Sequence, residues 1–106
     1  MMQAQEHESY ADDTPLTHVF GDSARVKILA AMLSEQDRDL NVTDIANMAG
    51  VARSTVYGHL EELQELHLVV ETREVGGSPM YQINNDNGIV ERAQEIEGLA
   101  LAELLE

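Results

Sequence analysis

Gly50 restricts most strongly what this chain can fold into, because it parts two helical stripes that cannot run as one helix. Ahead of it Ile45, Ala46, Met48 and Ala49 recur at helical spacing; behind it come Val56, Leu60, Leu63 and Leu66, at steps of four, three and three. A glycine is free to adopt left-handed backbone, so it ends the first of these helices and turns the chain into the second. Ala46 is small enough for the crossing helix to come close, and Val56 locks the following helix onto the core. Thr43 suits the cap position of the short helix that Gly50 ends. The next helix runs from about Arg53 to Leu66. Ala52 stands where a side-chain cap would be expected, so that helix end must use backbone or water contacts.

Around this unit the chain divides simply. Residues Met1 to about Thr14 are polar, acidic and aperiodic and read as a flexible arm, 1–14, outside the core. In PLTHVFG, Leu16, Val19 and Phe20 are expected to dock the chain before Gly21 turns it, with Phe20, the one phenylalanine, as a core anchor. Asp22 or Ser23 caps a helix that presents Ile28, Leu29, Met32 and Leu33 on one face and ends near Glu35. The polar link QDRD and a short extended piece around Leu40 to Val42 lead on to Thr43. After Leu66 the period changes: LVVETREV and MYQIN flank Gly76, Gly77, Ser78 and Pro79, which predicts an antiparallel hairpin over Leu68 to Asn84. A final helix from about Ile89 carries Ile89, Ala93, Ile96, Leu99, Ala100 and Leu104. The fold class is therefore α+β, mostly helical: a three-helix core with a β-hairpin over 15–87, and a C-terminal helix over 88–106.

This order of elements, with TDIANMAGVARSTVYGHLEELQELHLV and the Gly-rich hairpin behind it, resembles the winged helix-turn-helix regulators grouped as ArsR-like, MarR-like and PadR-like. The resemblance runs from about Leu16 to the end. Within that group PLTHVFGDSARVKILAAMLSE is similar to small haloarchaeal regulators of the RosR type. The resemblance implies a cytoplasmic, nucleoid-associated transcription regulator that binds double-stranded DNA as a homodimer, with a role in an oxidative stress response. A chain without cysteine cannot sense oxidant by thiol chemistry.

With Val56, Leu60 and Leu63 buried, a rotation of about 100° per residue turns Ser54, Thr55 and Gly58 outward, flanked by Tyr57 and His59. This is the expected groove-reading face. Gly58 costs a helix about 1 kcal/mol against alanine; either the backbone there approaches a base or phosphate closely, or it is a tolerated surface glycine. Glu61, Glu62 and Glu65 lie further along and would be repelled by phosphates, so only the first two turns should enter the groove. Arg53 is an expected phosphate contact. Arg73, in the wing strand, either reaches the backbone or minor groove or pairs with an acidic neighbour such as Glu71. Thr43 and the wing tip Gly76, Gly77 and Ser78 complete the expected contact set.

Charge argues against this at first: twenty Asp and Glu oppose six Lys and Arg, a net charge of −14, the wrong sign for an ordinary nucleic-acid binder. An acidic partner-binding surface and adaptation to molar salt both explain it. The placement of the acids separates them, since Ile45 to Leu60 contains no Asp or Glu. The expected DNA face is free of negative charge, which favours salt adaptation, with cations such as K+ bridging carboxylates to phosphates and no other cofactor. Affinity should then fall little, or rise, with KCl.

Two arginines make a small contact set, and a dimer reading half-sites about 34 Å apart would double it on a pseudo-palindromic operator. The expected dimer surface is Ile89, Ala93, Ile96, Ala100 and Leu104; the alternative is that this stripe packs only on its own domain. His7, His18, His59 and His67 lack the spacing of a metal site. Nothing suggests an enzyme: the chain has no phosphate-cradling glycine loop, nucleophile motif or acid pair. No apolar run approaches the roughly 18 residues of a membrane span, and no signal sequence opens the chain, which reads as a soluble intracellular protein. The rival reading is a winged-helix module for protein contact. It calls for apolar residues where Ser54, Thr55, Gly58 and His59 stand.

Overall fold

The structure, a computed structural model, describes residues 13–106. Its elements are α1 (Pro15–Phe20), α2 (Ala24–Leu33), α3 (Val42–Ala49), α4 (Arg53–Glu65), β1 (Val69–Val75), β2 (Ser78–Ile83) and α5 (Gly88–Leu104). The winged helix-turn-helix architecture is as the sequence predicts. Most of the expected N-terminal arm lies outside the described residues, but Thr14 does not behave as part of an arm. It is buried and caps α1, exchanging hydrogen bonds with Thr17 in a capping box, and Pro15 fills the first turn where no N–H is needed. Of the three residues expected to dock PLTHVF, only Leu16 is buried. Val19 and Phe20 are exposed, Phe20 to 58%, because the segment forms a helix that turns one face away from the core.

Ser23 caps α2, which sends Ile28, Ala30, Ala31, Met32 and Leu33 into the interior. The cap of α3 is Asn41, not Thr43. Asn41 Oδ1 accepts from the Asp44 N–H at 2.7 Å while the Asp44 carboxylate accepts from the Asn41 N–H, a reciprocal pair that Thr43 has no acid or amide positioned to match. Thr43 thus lies within the first turn of α3, exposed. Gly50 closes the helix at φ 73°, ψ 36°, with its N–H on Ala46 O at 2.8 Å. On α4, Val56, Leu60 and Leu63 are buried, but Leu66, expected on the same face, is 46% exposed because the helix ends before it. The exit uses a left-handed His67 at φ 61°, which lets the Leu68 N–H reach Leu63 O and the His67 N–H reach Gln64 O.

The hairpin turns through Gly76 and Gly77, both at positive φ, between paired Val75 and Ser78. Its base is anchored in the core by Val69, Tyr81 and Ile83, and an isolated bridge from Leu40 to Tyr81 ties the α2–α3 link to β2. The interior is a single cluster, with Ile28, Met32, Ile45, Val56 and Leu63 filling the space between α2, α3 and α4. Asn87 caps α5 by accepting from the Ile89 and Val90 N–H groups, and Val90 is the one side chain of α5 that is fully enclosed.

Candidate nucleic-acid interface

The buried stripe of α4 fixes where its other side chains go. On one flank Arg53 and Tyr57, one turn apart, join Thr43 of α3 and Ser78 of β2 around a cleft of about 40 Å³. Ser54 and Gly58 face outward and are exposed. On the other flank His59 meets Arg25 near the start of α2, and Thr55, one turn before it, is half-buried like His59. The sequence-predicted residues Thr43, Arg53, Tyr57 and Ser78 are thus brought together, with Ser54, Thr55, Gly58 and His59 on the adjoining surface. Gly76 and Gly77 stand at the exposed wing tip. A methyl group added at Gly58 would meet no heavy atom of the described residues within 4 Å, so none of them requires glycine there.

The cations of the surface are mostly neutralised by the chain's own acids. Arg25 pairs with Glu62, Arg38 with Glu35, Arg73 with Asp39 and Arg92 with Glu91. Among the described residues Arg53 is the one arginine with no such partner. It opens α4, whose first N–H groups have no side-chain cap, as the alanine at position 52 leads one to expect.

Arg73 has a partner, but not Glu71. A β-bulge between Glu71 and Arg73 breaks the strand alternation, so Thr72 and Arg73 both reach Asp39 in the α2–α3 link. Arg73 Nε and Nη2 donate to the two carboxylate oxygens at 2.8 and 3.2 Å, and Thr72 Oγ1 donates at 2.6 Å. The Arg73 guanidinium, helped by the Thr72 hydroxyl, holds the Asp39 carboxyl down at about 2, well below the ordinary carboxylate value. Two further residues of this surface carry no mark in the sequence. Asp39 and Arg25 each lie more than thirty positions from the group they hold, and no local pattern spans such a gap.

The expected dimer residues divide into two sets. Ala93 and Ile96 pack against the core of their own domain, whereas Ile89 and Leu104 are 57% and 49% exposed. Leu99, Leu101 and Leu105 add to the exposed apolar surface at the same end of the chain. Between α1, α2 and α5 lies a cavity of about 100 Å³ with wholly apolar walls, including Leu16, Phe20, Leu29 and Ile89. Among the described residues no three His, Asp or Glu side chains gather as a metal site would require, and no helix is long and apolar enough to cross a membrane.

Fold and surface together define a winged helix-turn-helix protein of the DNA-binding transcription-regulator type. Residues 26–73, from α2 into the wing, match the model of the IclR helix-turn-helix domain. Among solved structures the chain is similar to the antimony-specific transcriptional repressor AntR, at 28% identity and a TM-score of 0.60, covering 85% of this chain and 76% of that one. It shares the fold of a possible transcriptional regulator from Methanosarcina mazei Go1 (22% identity, TM-score 0.56, 78% and 72% of the two chains). The same holds for a DNA-binding protein from Sulfolobus solfataricus (16% identity, TM-score 0.54, 74% and 81%). No curated protein sequence matches the chain.

Proposed function

We propose that this protein is a sequence-specific regulator that binds DNA as a homodimer, with the first two turns of α4 in the major groove and the wing against the backbone or minor groove. The observation that carries this is the state of the α4 face. In a chain of net charge −14, the stretch Ile45 to Leu60 holds no acid, and Arg53, at its centre, has no carboxylate partner among the described residues, while other arginines are bound to carboxylates. Such a guanidinium beside Thr43, Tyr57 and Ser78 is suited to a phosphate, and Ser54, Thr55 and the Gly58 backbone to base edges.

The same pairing pattern supports adaptation to high salt. Ordinary DNA binding weakens with salt in proportion to the number of phosphates neutralised by protein cations. Here few cations are available for that exchange, so K+ bridging surface carboxylates to phosphates takes their place, and affinity changes little between moderate and molar KCl. Dimerisation rests on the exposed leucines of α5. A haloarchaeal origin rests on the acidic composition and the resemblance; a role in an oxidative stress response and a place at the nucleoid rest on the resemblance alone.

The test is an anisotropy titration against a duplex selected by the protein from a random-sequence pool and a scrambled control, in parallel at low and molar KCl. Saturable preference for the selected duplex that survives molar KCl is expected. A folded protein that prefers no duplex at either salt would instead be a protein-contact module, and a steep loss of binding at molar KCl would refute the salt adaptation.

A further inference from the structure

His59 and Glu62 lie one turn apart on α4, on the flank that meets the start of α2. Arg25 of α2 holds both. Its Nε donates to His59 Nδ1 at 3.1 Å, and its Nη2 donates to Glu62 Oε1 at 2.6 Å. A guanidinium has five N–H donors and no acceptor. His59 Nδ1 must therefore present its lone pair, and the ring proton of the neutral imidazole is placed on Nε2. Glu62 is the second acid after the acid-free stretch ends at Leu60, and the same guanidinium neutralises it.

Resting on the DNA-binding reading above, we infer that Arg25 is a positioning residue for DNA recognition: it fixes His59 as an outward Nε2–H donor to an acceptor atom of the duplex and cancels the repulsion of Glu62. An Nε2–H donor suits an atom that only accepts, such as purine N7 in the major groove or a phosphate oxygen. Without Arg25 the imidazole would divide between two tautomers, one of which turns a lone pair toward the duplex. His59 is half-buried, so the ring cannot simply swing clear.

The test joins a measurement on the free protein to one on the complex. Imidazole nitrogen NMR at a pH where the ring is neutral, with His59 assigned by His59→Leu, should show the Nε2–H tautomer in the wild type and a mixture in Arg25→Met. Affinity for the selected duplex should fall about tenfold in His59→Leu, which removes the donor, the scale of one hydrogen bond, and at least as far in Arg25→Met, which also uncovers Glu62. With Glu62 made neutral by Glu62→Gln, adding Arg25→Met to His59→Leu should cost nothing further. Arg25→Lys, which keeps a donor, should recover the tautomer, and Glu62→Gln alone should leave it unchanged. Duplexes with 7-deazapurine or methylphosphonate substitutions then tell base from backbone: the arm that weakens the wild type but not His59→Leu names the acceptor. An unchanged tautomer in Arg25→Met, or losses of Arg25→Met and His59→Leu that add in the Glu62→Gln background, would overturn the inference while leaving DNA binding intact. A wild type that binds no duplex would overturn it together with the reading it rests on, whatever the tautomer.

Discussion

Asp39 in the α2–α3 link grips Arg73 on the wing through two hydrogen bonds, and the Thr72 hydroxyl completes the clamp on the same carboxylate. The wing is otherwise a two-stranded ribbon whose first strand is exposed from Val70 onward. Such a ribbon is marginal by itself in water. The clamp therefore ties the exposed part of the wing to the α2–α3 link, beyond the base that Val69, Tyr81 and Ile83 hold in the core.

Because its folded value lies near 2 against about 3.9 for an unperturbed aspartate, Asp39 favours the native wing at every pH above the higher value. That contribution fades as pH falls through the lower one. Hydrogen exchange of the β1 amides, corrected for intrinsic rates, should show lost protection as the pH drops from about 4 toward 2. In Asp39→Asn that acid step should be absent and the wing amides should already exchange faster at neutral pH. An acid step of the same size in Asp39→Asn would assign it to other carboxyls.

Gly58 offers a clean separation of stability from function. Space is open around it, so Gly58→Ala should raise stability by about 1 kcal/mol through helix propensity. The added methyl would stand between α4 and the duplex, and affinity should fall. A variant both more stable and equally tight would show a surface glycine with no part in recognition.

His67 is the only described residue other than glycine at positive φ. The left-handed conformation costs an L-residue roughly 1–2 kcal/mol, and glycine escapes most of it. His67→Gly should raise the melting temperature by roughly 4–8 °C per kcal/mol recovered in a domain of this size. DNA affinity should not change, since His67 lies past the C-terminal end of α4, away from the first two turns that enter the groove.

The C-terminal leucines test the assembly. Leu99 is 69% exposed on α5 and contributes nothing to its own core. Leu99→Glu should leave the melting profile of the monomer intact but shift the sedimentation of the protein from dimer to monomer, and should weaken operator binding by removing the second half-site. A wild type that sediments as a monomer while still binding a pseudo-palindromic site tightly would contradict the dimer.

The sequence carried the helical core and the wing because their signals are local. Apolar period defines α2 and α4, Gly50 marks a left-handed turn, and Gly76–Gly77 mark a two-residue hairpin. Its errors have equally local causes. Thr43 and Asn41 are both good caps, and the choice turned on Asp44, which stands three residues after Asn41 and completes a reciprocal pair. Phe20 is apolar but sits on the outer face of the six-residue helix α1, a segment too short to show an apolar period. Arg73 was open to a neighbour such as Glu71, and only the bulge at Thr72 turns it toward Asp39. Arg25 was invisible for another reason: its role depends on α2 crossing α4 so that residues 34 positions apart touch.

The most direct test is to map which backbone amides the duplex covers. Hydrogen exchange of the protein free and bound to its selected duplex, at molar KCl, should show new protection at Thr43, from Arg53 to His59, and at Gly76 to Ser78, with Arg53→Gln abolishing it. Protection confined to α5 and α1, or spread without preference over the acidic surface, would contradict the assignment of α4 as the DNA-reading helix.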